Sequence, residues 1–294
     1  IYQSMLFAQR RALHAQVAAG LLARFGEAPE RWSAVLAQHY QLAEQPEQAL
    51  PHYIAAARQA QGRYANSEAL TLFEQALAIA PRLPAASASE TAARLRDIYE
   101  PMGDIRALTG EYDAARSAYE GVLANLERQG REGAALQRAR IERKIGGSYE
   151  QQGKLDAALP HLERGWELIA GGPSGREADL ERAEILSALG WVLFRRADLG
   201  PAQAHLERAL AFLQPHDAER ERARVLNRLG GLAWQSGELE LADQYVRQSL
   251  AASQRNGDLV AQANALANLS VLAGTMGRFA RAAEHGEQAL QLHE

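Results

Sequence analysis

Residues 145–158, IGGSYEQQGKLDAA, decide how this chain folds, because versions of the same segment occur four more times. The other copies begin at residues 102, 189, 229 and 269, so successive copies are spaced by 40 to 44 residues. A fixed spacing in this range is typical of a stacked repeat and not of a single globular core. Stacked repeats build long surfaces in place of closed pockets, which favours a binding function over catalysis.

The composition is that of a helical protein. Hydrophobic residues make up 47% of the 294 residues, and Ala, Leu, Arg, Glu and Gln, all good helix formers, dominate the chain. No segment alternates apolar and polar residues over the length of a strand. We therefore expect an all-α fold, a right-handed α-α superhelix or solenoid of about fourteen antiparallel helices.

Composition also disfavours several functional classes. The chain has no cysteine, which excludes disulfides and thiolate metal sites. Its net charge of −4 disfavours nucleic acid as a partner. No apolar run approaches the roughly 20 residues that span a bilayer, and no secretory signal is visible. We expect a cytoplasmic protein that binds neither nucleic acid nor membrane and needs no cofactor.

Each copy of the repeated segment predicts a turn between two helices. The first helix carries a large residue followed by a small one, as at Leu189-Gly190, and the small residue lets the facing helix approach closely. Seven residues after the small one, a Gly or Ala such as Gly153 or Ala197 fits the left-handed backbone of a helix C-terminus. The second helix carries a large residue such as Leu206, and interlocking helix pairs need this alternation of sizes.

The copy that begins near residue 139 carries a fuller motif, made of Ile145, Gly146, Tyr149, Gly153, Leu155, Ala158 and Leu162. This motif resembles the tetratricopeptide repeat. The resemblance extends over about residues 96–294, although the spacing exceeds the roughly 34 residues usual in that family. The longer spacing is similar to the variant found in kinesin light chains and bacterial signalling regulators. The resemblance implies a module that binds a protein or a peptide.

The start of the chain carries a second motif, made of Tyr2, Ser4, Leu6, Arg10, Arg11, Leu13, His14, Val17 and Ala18. It is similar to the segment that joins the ATPase part to the repeats in large bacterial signalling ATPases of the AAA/STAND type, which are often fused to a nucleotidyl cyclase or a DNA-binding domain. The resemblance implies an excised piece, a non-catalytic sensor or scaffold arm of such a protein. The alternative is a stand-alone adaptor that binds an extended peptide in its concave groove.

Three segments follow from these motifs. Residues 1–29 are predicted to be a helix connecting the chain to an upstream domain. Residues 30–84 are predicted to hold degenerate repeats, in which two repeats share three consecutive helices. Residues 85–294 are predicted to hold five regular repeats with a period of 40 to 44 residues.

In the resembled family the first helix of each repeat lines the concave face, which implies a set of ligand-binding residues on those helices. Flat aromatic side chains would bury ligand side chains, and side-chain amides would pair with the peptide backbone. Two of the asparagines are similar to those that contact peptide backbone in kinesin light-chain-type repeats, namely Asn227 and Asn268. The whole predicted set is Arg140, Arg143, Glu184, Ser187, Trp191, Phe194, Arg195, Arg224, Asn227, Trp234, Gln235, Asn264 and Asn268.

Other uses of these residues stay open. In one alternative, the aromatic side chains pack between adjacent first helices and contact no ligand. In another, the groove binds the ATPase domain of the parent protein. A third use is a carboxylate clamp by Arg140, Arg143 and Arg224, although the asparagine–lysine set of the family's clamp is absent.

No catalytic or metal site is predicted, so we expect that this part of the protein is not an enzyme. His52, His161, His205 and His285 recur at one repeat position, but successive repeats are too far apart for them to share an ion. Residues 171–175 lack the Gly-Lys-Ser/Thr ending of a phosphate-binding loop.

The ends of a repeat array generate one more expectation. A solenoid that is cut exposes a face that the next helix normally covers. We therefore expect self-association through the exposed ends, at Leu266, Leu269 or Leu290.

Overall fold

The computed structural model describes residues 5–25, 29–84, 88–128, 134–172 and 174–292. Within these ranges the chain folds into fourteen α-helices and contains no strand, so the predicted all-α fold is confirmed. The helices are α1 (Phe7–Phe25), α2 (Ser33–Leu42), α3 (Pro46–Gly62), α4 (Asn66–Ile79), α5 (Ala88–Leu108), α6 (Tyr112–Arg128), α7 (Ala135–Gln151), α8 (Leu155–Ile169), α9 (Arg176–Arg195), α10 (Leu199–Leu213), α11 (Glu219–Gln235), α12 (Leu239–Asn256), α13 (Leu259–Thr275) and α14 (Phe279–Gln291). Of the sequence motifs, Tyr2, Ser4 and Pro173 lie outside the described residues.

The chain divides into two compact units, residues 1–134 and 135–294. In the first unit, α2, α3 and α4 pack in succession, and α5 and α6 form a pair. Helix α3 therefore buries residues toward both of its neighbours, among them Leu50, Tyr53 and Ala57. The core of the unit also contains Phe73 of α4 and Ile98 of α5, both fully buried.

Polar side chains of α1 contact α2 and the residues that follow it. The Nδ1 atoms of His14 and His39 lie 2.9 Å apart, and Arg11 forms an ion pair with Glu44. Ala18 is the one buried residue of α1. Burial and the neighbouring His14 lower the pKa of His39, which favours its neutral form in this contact.

The second unit consists of four antiparallel helix pairs, α7–α8, α9–α10, α11–α12 and α13–α14. The first helix of each pair also contacts the first helix of the next pair, so α7, α9, α11 and α13 lie side by side. The boundaries predicted at residues 29/30 and 84/85 stay predictions.

Within each of three helix pairs, a glycine of the first helix lies directly against a large residue of the second. A Cβ atom on Gly190 would lie 2.7 Å from Cγ of Leu206 and 3.0 Å from the carbonyl oxygen of Ala202. A Cβ atom on Gly146 would lie 2.8 Å from Leu162. The predicted match of a small residue with a large one is therefore confirmed, and it sets the distance between the paired helices.

Two adjacent glycines of α7 test this contact. We expect Gly146→Ala to destabilise the second unit by about 1–3 kcal/mol, because the added methyl group overpacks the contact with Leu162. Gly147→Ala is the matched control, since nothing lies within 4 Å of its Cβ position. That change should stabilise the helix by up to about 1 kcal/mol. Urea unfolding of both variants checks this, and equal shifts of the midpoint would contradict it.

The turn between paired helices requires a residue with a left-handed backbone. Gly153 has a φ of +77°, and Ala197 occupies the equivalent turn with a φ of +66°. Glycine adopts this conformation freely, whereas the Cβ of an L-residue disfavours it by roughly 1–2 kcal/mol. The α9–α10 turn is therefore strained relative to the α7–α8 turn.

We expect Ala197→Gly to stabilise the protein by about 0.5–1 kcal/mol, because the strain is removed while some unfolded-state entropy is added. Ala204→Gly in the exposed interior of α10 is the control and should destabilise by about 1 kcal/mol. Thermal melting measures both changes. A loss of stability in Ala197→Gly would show that the turn is not strained.

The expectation for the last repeat is wrong at two of its three residues. Leu266 and Leu269 are buried, because they lie on the side of α13 that packs into the core formed with its neighbouring helices. Leu290 of α14 is 67% exposed. The exposed apolar side chains of this repeat also include Phe279, Val260 and Val271. Whether the protein self-associates through them stays a prediction.

Candidate functional site

Charged pairs join the first helices of the second unit. Arg140 of α7 donates to Glu177 of α9 at 2.9 Å, and Nε of Arg143 donates to Glu181 at 2.6 Å. Across the next junction, Arg224 of α11 donates to Glu184 at 2.9 Å. The first helices α7, α9, α11 and α13 lie side by side, and some of their side chains reach from one helix to the next. We call the surface formed by these side chains the A-helix face.

These pairs determine what the predicted clamp residues do. Arg140, Arg143 and Arg224 each have a carboxylate of α9 within hydrogen-bonding distance. Glu181 is buried and also lies 3.6 Å from Nε of Arg140. Because their charges are already balanced, these three arginines act as cross-links between helices.

Two of the predicted aromatic residues pack within the array. The indole N–H of Trp191 donates to Glu150 of α7 at 3.0 Å, and its ring stacks on Phe194 with centroids 5.3 Å apart. Arg195, the next predicted residue, donates to the carbonyl oxygen of Glu150 at 3.1 Å. Both aromatic side chains are half-buried, so only part of their surface is accessible to a ligand.

Trp234 of α11 differs from Trp191, because its side chain is 47% exposed. It lines a cavity of about 90 Å³ between α11 and α13. The other lining residues are Gly230, Gly231, Val246, Asn268, Val271 and Leu272. The lining is mostly apolar, and the missing side chain of Gly231 leaves open space beside the indole.

Amide side chains lie next to this cavity. Nδ2 of Asn268 donates to Oδ1 of Asn227 at 2.8 Å, which joins α13 to α11. A cleft of about 550 Å³ lies on the same side of these helices. Its walls include Asn264, Asn227 and Val260, and Arg224 and Asp258 add charged groups. Asn264 is exposed, as is Gln235 at the end of α11.

Arg228 of α11 belongs to the same face but was missed in the sequence. Its Nη1 atom donates to both the carbonyl oxygen and the hydroxyl of Ser187, each at 2.7 Å. Its guanidinium lies 5.3 Å from the centre of the Trp191 ring. Burial, with a contribution from Arg224, lowers the pKa of Arg228 to about 10. The sequence did contain a signal for it, because Arg228 lies one repeat of 40 residues before the predicted Asn268 and so occupies the equivalent position.

The recurring histidines have separate local roles. Nδ1 of His161 lies 2.7 Å from a carboxylate oxygen of Glu142, and His52 stacks on Tyr40. The Nδ1 atoms of His205 and His285 are buried and have no hydrogen-bond partner among the described residues. Across the described ranges, no three His, Cys, Asp or Glu residues are grouped closely enough to hold a metal ion. None of the described helices is both long and apolar enough to cross a bilayer.

A family model described as the tetratricopeptide repeat matches residues 221–294, which include most of α11 and all of α12, α13 and α14. Residues 221–294 therefore form a tetratricopeptide repeat region. Such repeats typically bind proteins or peptides and are generally non-catalytic. A comparison with curated proteins finds no match.

Solved structures of several proteins share the fold. BtubC (BKLC) from P. vanneervenii is 20% identical with a TM-score of 0.63, covering 83% of this chain and 91% of that one. PilF of Pseudomonas aeruginosa is 20% identical with a TM-score of 0.57, covering 84% and 93%. Aspartyl phosphate phosphatase F from Bacillus subtilis is 10% identical with a TM-score of 0.64, covering 89% and 75%. At these identities the similarity concerns the fold alone.

Proposed function

We propose that this chain binds an extended peptide on the A-helix face, along α11 and α13. The observation that carries the proposal is the 47% exposure of Trp234 beside an apolar cavity. Binding is favourable when a ligand covers an exposed aromatic side chain and fills the apolar space next to it, because both surfaces are then removed from water. Aromatic side chains of this kind often dominate binding energy at protein interfaces.

The amides beside the cavity suit the backbone of such a ligand. An extended peptide presents unpaired N–H and C=O groups, and a side-chain amide can donate to one and accept from the other. Asn264 is exposed on the wall of the cleft, and Asn227 and Asn268 present a joined pair of amides nearby. In this proposal the cavity binds one apolar side chain while the amides hold the chain that carries it.

The remaining predicted site residues have supporting roles in this proposal. Arg140, Arg143 and Glu184 fix the positions of successive first helices through their ion pairs. Trp191 and Phe194 stack on each other and help to fix α9. Because these contacts hold the helices before a ligand arrives, little ordering entropy would be lost on binding.

The test is peptide binding by the Trp234→Ala variant. Peptides selected from a random octapeptide library against the unaltered protein should lose at least about 2 kcal/mol of binding, roughly 30-fold, in this variant. Because about half of the Trp234 side chain is buried, its removal should also destabilise the protein by roughly 1–3 kcal/mol, so binding is measured well below the melting temperature of the variant. Fluorescence polarisation measures affinity, and thermal melting checks folding.

Phe279→Ala is the matched control, since Phe279 is an exposed aromatic residue on a second helix of the same unit. It should keep the full affinity. Equal losses in both variants, or no selected peptide, would reject the groove.

A second candidate function is the sensor or scaffold arm of a signalling ATPase. It rests on the motif at and just before α1, in which Leu6, Arg10, Arg11, Leu13 and His14 are similar to the connecting segment of those proteins. Leu6 and Phe7 at the start of α1 are 71% and 64% exposed. Ligand binding on the A-helix face would then shift the parent between two states, which requires different affinities for them.

This second function makes a separate prediction about the parent gene. We expect it to encode a Gly-x-x-x-x-Gly-Lys-Ser/Thr motif upstream of residue 1. In the full-length protein, a selected peptide should change the rate of ATP hydrolysis, and Trp234→Ala should abolish the change. Without the upstream motif, the stand-alone adaptor is the function that remains.

A further inference from the structure

Helix α1 meets α2 through two histidines whose ring nitrogens face each other. The Nδ1 atoms of His14 and His39 lie 2.9 Å apart, and the ring centroids are 5.1 Å apart. Both residues are half-buried. A separation of 2.9 Å is that of a hydrogen bond, so a single hydrogen lies between the two nitrogens. One ring donates this hydrogen, and the other accepts it with a lone pair.

This contact depends on the protonation of both rings. When at least one ring is neutral, its Nδ1 atom can keep a lone pair and accept the hydrogen bond. A charged imidazole carries a hydrogen on each of its nitrogens. When both rings are charged, two hydrogens point into the same gap and two cations repel each other. The geometry therefore permits one extra proton on the pair but not two.

The charges around the two rings do not balance a second proton. The charged or titratable side chains of this region are Arg10 and Arg11 of α1, Arg31 before α2, Glu44 after it, and Glu47 and His52 of α3. Glu44, the carboxylate that contacts α1, is already paired with Arg11. Glu47 is exposed, and His52 stacks on Tyr40. A second proton would add to the positive charge of the arginines.

The titration of His39 gives the direction of the pH dependence. Burial and the neighbouring His14 lower the pKa of His39 from its ordinary value of 6.5. The docked helix thus favours neutral His39 and binds fewer protons than a helix that has moved away. The contribution of the contact to docking is therefore complete above about pH 6.5 and decreases as the pH falls below that value.

The two halves of α1 are held by different kinds of contact. In the C-terminal half, Ala18 is fully buried and Leu21 packs against the apolar core of the first unit. In the N-terminal half, Phe7 is 64% exposed, and the ion pair between Arg11 and Glu44 lies at the surface. Because an exposed ion pair contributes little to stability, the position of this half depends mainly on the two histidines.

We propose that the contact between His14 and His39 is pH-sensitive, holding the N-terminal half of α1 against α2 at neutral pH and releasing it in mild acid. The C-terminal half stays docked through its apolar contacts. The direction in which the chain enters the first unit then depends on pH. This inference is independent of the peptide groove, because the two histidines belong to the first unit and the groove to the second.

A spin label on α1 measures the release. The chain has no cysteine, so Ala8→Cys, at an exposed position of α1, provides a single attachment site for a nitroxide. Electron paramagnetic resonance gives the ratio of mobile to immobile label. Spectra are recorded from about pH 8 to about pH 5.5, a range that ends above the ordinary pKa of carboxyl groups, so ion pairs stay charged. EDTA prevents a metal ion from bridging the two ring nitrogens.

We expect the ratio of mobile to immobile label to rise by about 3- to 10-fold across this range, since one extra bound proton changes an equilibrium by up to 10-fold per pH unit. His39→Gln should remove the pH dependence, because a glutamine amide does not titrate and can pair with either form of His14. His14→Gln should do the same. His52→Gln is the matched control, because burial also lowers the pKa of His52, and it should keep the pH dependence.

A second label site tests for a general effect of acid. Ala204→Cys places the nitroxide at an exposed position of α10 in the second unit, and its spectrum should not change with pH. A constant spectrum of the label at residue 8 would overturn the proposal. So would a pH dependence that persists in His39→Gln and His14→Gln, one that is lost in His52→Gln, or an equal change at residue 204.

Discussion

The close contact between a glycine of one helix and a leucine or valine of its partner is the constraint on which this structure depends. At Gly190 the space available is smaller than a methyl group, because Leu206 and the backbone of Ala202 fill it. The same contact recurs at Gly146 and Gly230. Since it fixes the distance within each pair, it also fixes where the first helices meet and which of their side chains reach one another.

The A-helix face follows from that placement. Because α7, α9 and α11 are held side by side, arginines and glutamates of neighbouring helices pair across each junction. Individual exposed pairs contribute little to stability. Their more important effect is to join neighbouring first helices through paired charges. On the described part of this face, Trp234 is the large aromatic side chain that stays exposed to a ligand.

The repeats made the fold predictable, because the same spacing of small, large and turn residues occurs five times. The direction in which each side chain of a helix points was harder to predict from the sequence. Leu266 and Leu269 were expected at an open end, but a helix with apolar residues on several sides does not reveal which side its neighbours cover. Arg228 was missed because only the positions around it were expected to face the groove. The hydrogen bond of Trp191 depends on Glu150, 41 residues earlier in the chain, which no local pattern indicates.

Helix α3 shows a different consequence of this architecture. It packs against α2 on one side and α4 on the other, so these three helices do not divide into separate helix pairs. In the second unit each junction has the same form at intervals of 40 to 44 residues. In-frame loss or duplication of one helix pair would bring together two helix surfaces that already pack against such partners. Loss of a single helix would instead expose the apolar side of its former neighbour to water. We therefore expect the second unit to tolerate changes of length only in whole helix pairs, whereas in the first unit a single helix, α3, already packs against both of its neighbours.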